Sequence, residues 1–174
     1  MSLPRKLSQL FSEAEIAARV NALAIEIASG RLRPDIALPI LAGSFVFAAD
    51  LLRDLAKQGL VLPIEFIWLR SYAASRRGGE ISVLVGPPED LHGKTVLLID
   101  GVLDRGHTLA KARELLLEQE AATVLTAVVI DKGHPLAAFR ADYAAFSGVA
   151  DFIVGYGMDD AGFGRGLPYI AKVE

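Results

Sequence analysis

Short apolar runs bounded by turn residues recur along this chain, with helix-periodic stretches between them, and that alternation constrains the fold more than any other feature. Val96-Leu97-Leu98-Ile99 is the most strongly apolar run and reads as a strand buried on both faces. Ile36 to Leu41, closing at Gly43, and the β-branched Val124 to Ile130 read the same way. Leu60 to Leu69 is expected to be a strand broken by Pro63, and Ile81 to Val85 a strand ended by Gly86-Pro87-Pro88. Phe152-Ile153-Val154 is a last short strand before a glycine-rich tail. Among these runs, Ser12 and Glu15 form a capping box ahead of Ile16, Val20, Leu23, Ala24 and Ile27, and Gly30 supplies the stop. Phe45, Ala48, Ala49, Leu52 and Leu55 predict a second helix ending at Gly59, and Thr108 to Gln119 a third. Parallel strands need a crossover long enough to hold a helix, so the expectation is an α/β fold, a twisted, mainly parallel sheet with helices on both faces. Without an internal repeat or linker, residues 1–174 are expected to form a single domain.

Composition narrows the function. Lysine and arginine total 18 against 21 acidic residues, so no global positive charge calls for a nucleic acid. With no cysteine, disulfides, thiolate metal sites and cysteine nucleophiles are excluded. The longest apolar stretch, Ile36 to Ala49, contains Pro39, Gly43 and Ser44 and falls short of the roughly 20 residues that cross a bilayer. Met1-Ser2-Leu3-Pro4-Arg5-Lys6 leads into no signal-peptide core, and the expected location is the cytoplasm.

In open α/β sheets, ligands bind beyond the carboxyl ends of the strands. The most informative such place is Ile99-Asp100-Gly101-Val102-Leu103-Asp104-Arg105-Gly106-His107-Thr108, where a buried strand delivers two aspartates and then a glycine-threonine turn that opens a helix. The N–H groups of a helix start favour a phosphate, and Gly106 lets the backbone approach it closely. A plain turn capped by Asp104 or Thr108 fits the same residues. Other signals fail. Pro88 to Thr95 ends like a P-loop but begins with proline and precedes a strand; Gly155-Tyr156-Gly157 lacks the third glycine of a dinucleotide fingerprint; three scattered histidines leave no zinc site.

The Asp100 to Thr108 stretch resembles the ribose-phosphate motif of type I phosphoribosyltransferases, and other segments follow the hypoxanthine-guanine branch in order. These are Leu41-Ala42-Gly43-Ser44-Phe45-Val46-Phe47, Ser71-Tyr72, Gly79-Glu80, Asp131-Lys132, Phe152 to Asp159, Arg165 and Leu167-Pro168-Tyr169. The resemblance implies a small hood formed near both termini and transfer of a 5-phosphoribosyl group from phosphoribosyl pyrophosphate to a 6-oxopurine (hypoxanthine, guanine or xanthine), a step of purine salvage. It implies Mg2+ on the pyrophosphate, with Asp100 and Asp159 near the metal, and a homodimer or homotetramer. Asp100, Asp104, Arg105, Gly106, His107 and Thr108 would hold ribose and 5′-phosphate, with Asp104 also the general acid/base at the purine's imidazole nitrogen. A carboxylate suits that task when burial or like charge raises its pKa. Lys132, Phe152, Ile153 and Asp159 would take the purine, Lys132 through the oxygen at position 6. Ala42, Gly43 and Arg165 would take pyrophosphate, and Ser71 and Tyr72 begin a mobile loop, Ser71 to Gly79, that closes over the site. Bland readings stand beside these: Phe152 as core, Lys132 snorkelling to solvent, Asp159 as a loop acid, Arg165 solvating the tail, and a simple hairpin at Ser71-Tyr72.

Two residues depart from the pattern. Gly101 stands where the family has a second acid, and a lost hydrogen bond to a charged group is worth roughly 1.5–3 kcal/mol, about 10–150-fold. Ala42 stands where these enzymes often have a lysine, in a region where many members have a cis peptide. Arg105 and His107 replace smaller or different residues and add positive charge. The rival reading is therefore a phosphoribosyl-binding regulatory or accessory protein with little catalysis, for which a cluster of Arg70, Arg76 and Arg77 would serve RNA.

Overall fold

A computed structural model describes residues 6–71 and 81–174. In chain order it contains β1 (Leu7–Phe11), α1 (Glu13–Ser29), β2 (Ile36–Leu41), α2 (Phe45–Lys57), β3 (Ile67–Ser71), β4 (Ile81–Val85), β5 (Thr95–Leu103), α3 (His107–Glu118), β6 (Thr123–Asp131), β7 (Tyr143–Ser147), β8 (Ile153–Val154) and β9 (Ile170–Val173). The main sheet runs β4-β3-β2-β5-β6-β7, with every neighbour parallel except β4, which pairs antiparallel to β3. Among the described residues no helix is long and apolar enough to cross a membrane.

Period-two alternation in the central strands sends side chains to two separate cores. Ala37, Leu97, Ile99, Ala127 and Val129 face α1 and α2, where Ile16, Val20, Leu23, Phe47, Leu51 and Leu55 are buried. Leu38, Ile40, Val96, Leu98 and Val128 face α3, against Leu109, Ala112 and Leu116. The capping box at α1 forms as its residues predict: Ser12 N–H donates to Glu15 Oε2 at 2.8 Å and Glu15 N–H to Ser12 Oγ at 3.3 Å.

Several elements differ from expectation. Of the Leu60 to Leu69 run only the last three residues are strand, as the start of β3. Residues 60–66 hydrogen-bond to β2 at Ala37, which donates to Pro63 O at 3.0 Å and accepts from Glu65 N–H at 3.1 Å. Pro63 has no N–H with which to extend a ladder. β5 runs on to Leu103, because Val102 and Leu103 pair with Ile130 and Asp131 of β6, and α3 starts one residue earlier than expected, at His107. The glycine-rich tail contains β9, which joins β1 and β8 in a three-stranded antiparallel sheet of order β1-β9-β8. That sheet meets the main one where Phe11 stacks on Phe146, ring centroids 3.9 Å apart. Of the expected loop from Ser71 to Gly79, Ser71 ends β3, and Tyr72, Arg76, Arg77, Gly79 and Glu80 lie outside the described residues.

Phe47 is wholly buried one turn into α2 and anchors that helix behind the β2 turn. Phe47→Ala should lower unfolding free energy by about 3–5 kcal/mol in urea titration, as expected for loss of a buried phenyl ring; a loss below 1 kcal/mol would mean that α2 is not held by this contact.

Candidate active site

Because β2, β5 and β6 are parallel, their carboxyl ends meet on one rim of the sheet. At the end of β2 the Leu41–Ala42 peptide is cis. The chain then turns through Gly43 into α2, with the buried Ser44 hydroxyl donating to Ile40 O at 2.6 Å. At the end of β5, Asp100 and Gly101 lead to Asp104, and Gly106 takes a left-handed conformation (φ +80°) that starts α3. That φ favours glycine, and a Cβ there would stand 2.9 Å from Leu103 Cδ1, whose side chain would have to shift. No side chain caps α3, which sets aside Asp104 and Thr108 as caps and leaves the first N–H groups available to an anion.

Two cavities adjoin at this rim. One, of about 220 Å³, is a cup lined by Asp100, Val102 and residues 104–109, so Asp104, Arg105, Gly106, His107 and Thr108 come together as expected. The other, of about 300 Å³, is lined by Gly43, Asp100, Gly101, Val102, Asp104, Lys132, Phe152, Ile153, Met158, Asp159 and Arg165. Asp100, Val102 and Asp104 belong to both and form the wall between them. The Ala42 side chain lines neither cavity. A larger cavity of about 610 Å³ between α1 and α2 is bordered by charges that satisfy one another, Arg53 with Asp50, Lys57 with Asp54, and Tyr156 Oη donating to Asp50 at 2.7 Å.

The side chains in the second cavity are held by their surroundings. Lys132 follows β6, its N–H donates to Leu103 O at 2.9 Å, and its Nζ donates to Asp151 O at 2.8 Å while standing 4.0 Å from Asp104 Oδ2. It is largely enclosed rather than snorkelling, at 13% exposure. Asp131 before it is buried and accepts from Gly133 N–H at 2.8 Å, which fixes the turn after Lys132. Phe152 is 52% exposed, so the core reading of this residue fails: it heads β8 and borders the cavity instead of packing inward. Arg165 donates through Nη1 to Gly157 O and pairs through Nη2 with Asp159 Oδ1, both at 2.7 Å. Gly162 N–H donates to the other Asp159 oxygen at 2.6 Å. Sequence reasoning missed Met158 in the cavity wall and the Asp151 carbonyl that steers Lys132; an apolar side chain and a main-chain oxygen carry no motif. His92 contacts Glu120 at 3.2 Å and His134 Nδ1 accepts from Leu136 N–H at 3.0 Å, both away from these cavities.

Burial pushes the Asp100 carboxyl up from its ordinary 3.8 to about 7, and the hydrogen bond it accepts from Gly101 N–H at 2.7 Å offsets part of that rise. Among the described residues no group of three or more histidine, cysteine or acidic side chains could hold a metal. The donor set of Asp100 and Asp159 suits a hard cation that keeps its waters and takes most of its ligands from substrate oxygens. Of the two, Asp100 is the less committed, since both Asp159 oxygens already accept.

A cup at a helix start, sharing two aspartates with a larger cavity that carries a lysine, an arginine and an aromatic face, has room for an anion beside a larger, partly apolar group. The chain belongs to the phosphoribosyl transferase domain family, whose model matches residues 6–161. Within that family it is 34% identical to the hypoxanthine-guanine phosphoribosyltransferase of Aquifex aeolicus, covering 98% of this chain and 96% of the relative. It is 32% identical to the hypoxanthine phosphoribosyltransferase of Escherichia coli K12, covering 94% and 93%. Among solved structures, a Trypanosoma cruzi hypoxanthine phosphoribosyl transferase superposes with a TM-score of 0.86 at 28% identity, covering all of this chain and 94% of that one. The Trypanosoma cruzi enzyme in complex with the product IMP gives 0.85 at 28% identity, covering 100% and 97%.

The raised Asp100 pKa has a definite sign. The folded state binds this proton more tightly than the unfolded chain, so stability from the group is present below about pH 4 and is lost as pH rises toward about 7. Asp100→Asn should therefore melt several degrees above wild type at pH 8 and close to it at pH 4, measured without divalent cations. A gap that stays constant from pH 4 to 8 would contradict this.

Proposed function

We propose that this protein transfers the 5-phosphoribosyl group of phosphoribosyl pyrophosphate to a 6-oxopurine (hypoxanthine, guanine or xanthine), giving the nucleoside monophosphate and pyrophosphate in purine salvage. The observation that carries this reading is the shared wall of Asp100, Val102 and Asp104 between the anion cup and the larger cavity. A ribose lying across that wall has its 5′-phosphate in the cup and its anomeric carbon in the cavity. The names of the relatives support the 6-oxopurine as acceptor.

In the cup, the start of α3 and the Gly106 turn bind the 5′-phosphate, with the exposed Arg105 and His107 adding positive charge and Thr108 a hydroxyl. Asp100 accepts from ribose hydroxyls as a charged partner. In the cavity, Phe152 and Ile153 lie against the purine, and stacking on Phe152 adds about 0.5–1.5 kcal/mol beyond area burial. Lys132, steered by Asp151 O, donates to the oxygen at purine position 6, which selects against adenine. Asp104 takes the proton from the imidazole nitrogen as the new bond to the anomeric carbon forms and the bond to pyrophosphate breaks. Arg165 and the backbone of Ala42 and Gly43 hold the departing pyrophosphate. Asp100, with Asp159 nearby, would hold Mg2+, which would supply charge neutralisation for the pyrophosphate oxygens. The β1-β9-β8 sheet is the hood.

We assign the uncovered apolar strip of the sheet to a second copy of the chain. Phe66, Trp68, Val83 and Val85 on β3, β4 and the chain before them are 38–49% exposed, beside Val61 and Ile64, although sheets of this type are normally covered on both faces. An accessory protein without catalysis has less support, because Asp104, Lys132, Asp159 and Arg165 all line one cavity.

The test is a purine panel with donor and Mg2+, followed by chromatography of the monophosphate. Turnover of a 6-oxopurine is expected, with Asp104→Asn slower by about 10²–10⁴-fold; donor binding without turnover of any base would move the assignment to the accessory reading. Separately, Trp68→Glu should shift the protein to monomers in light scattering, whereas a wild type already monomeric would remove the assignment of the strip.

A further inference from the structure

The carbonyl of Gly43 sits against two glycines from other parts of the chain. A Cβ on Gly157 would stand 2.5 Å from this oxygen, closer than real Cβ atoms come, and Gly157 has a φ of +98° that itself favours glycine. A Cβ on Gly101 would stand 3.1 Å from the same oxygen and 3.4 Å from Met158 Cγ. Gly101 carries no positive φ, so its glycine answers a demand of space and not of backbone conformation. Gly157 cannot easily yield: its N–H donates to Arg165 O at 2.9 Å and its carbonyl accepts from Arg165 Nη1 at 2.7 Å. The turn after β2, the end of β5 and the turn after β8 therefore meet with no side chain between them, beside the arginine assigned to pyrophosphate.

We propose that Gly101 is a positioning residue for the donor's pyrophosphate: by presenting no side chain, it lets the Gly43 carbonyl lie against β5 and so sets where the Leu41–Gly43 turn meets the leaving group. This rests on the function proposed above and changes the meaning of the missing acid. An aspartate placed at 101 does not simply restore a ribose acceptor, because its Cβ first displaces the turn that binds pyrophosphate.

The test compares wild type, Gly101→Ala and Gly101→Asp in calorimetric titrations with magnesium pyrophosphate and, separately, with inosine monophosphate, alongside melting curves and donor kinetics. A displacement of a few tenths of an ångström predicts about tenfold weaker pyrophosphate binding and a matching rise in donor KM for Gly101→Ala, with a smaller change in kcat. Binding of the monophosphate, whose 5′-phosphate is assigned to the cup that Gly43 and Gly101 do not line, and the melting temperature should stay near wild type. Unchanged pyrophosphate affinity in Gly101→Ala overturns the proposal, as does loss of both ligands together with early melting, which would make Gly101 a general packing residue. Tighter donor binding by Gly101→Asp also overturns it. Wild type that binds neither ligand would instead remove the proposed function itself.

Discussion

The structure depends on the parallel pairing of β5 between β2 and β6. β5 is buried on both faces along Val96–Ile99, and its register with β2 and β6 fixes which residues emerge at the rim. A one-residue slip would exchange the side chains facing α1 and α2 with those facing α3, so two differently filled cores hold the register from opposite sides. Asp100 and Asp104 reach the rim because of that register, and Lys132 reaches it because Asp131 pairs with Leu103 at the last rung. The site is assembled from residues distant in sequence, yet little freedom remains in where they meet.

At that rim, packing and chemistry pull apart. Asp100 emerges part-buried between the two cavities, and among the described residues a single backbone N–H donates to it. A buried carboxylate with one donor is poorly compensated, and such groups collect where a charged ligand completes them. Arg165 and Asp159 show the opposite arrangement, a mutually satisfied pair. Arg165 must share its guanidinium between Asp159 and an incoming anion, whereas Asp100 gives up little to receive a cation.

Much of this was legible in the sequence wherever the signal is local. The capping box of α1, the strands β2, β5 and β6, and the glycine turn into α3 follow from a few adjacent residues. β1, β7 and β9 were missed because their stability comes from partners: Leu7 pairs with Val173, and Tyr143 with Ala127. A run such as Tyr143-Ala144-Ala145-Phe146-Ser147 has little apolar alternation of its own. Leu60 to Phe66 misled in the other direction, apolar enough for a strand but stopped by Pro63. In the site, the family resemblance carried by residue order named many of the side chains that line the two cavities, though not Met158. The space above Gly101 was not legible, since a glycine in a sequence does not say which backbone leans on it.

The β1-β9-β8 sheet also bears on which parts of the chain the pocket draws on. Phe152 and Ile153 stand at the head of β8, whose hydrogen-bonded neighbour is β9, and β9 is made of residues 170–173. The lining of the cup at α3 runs only to Leu109, whereas the strand that braces Phe152 and Ile153 begins at Ile170, 61 residues further along the chain. The subsite proposed for phosphate therefore draws on one short stretch of chain, while the subsite proposed for the purine leans on residues 170–173.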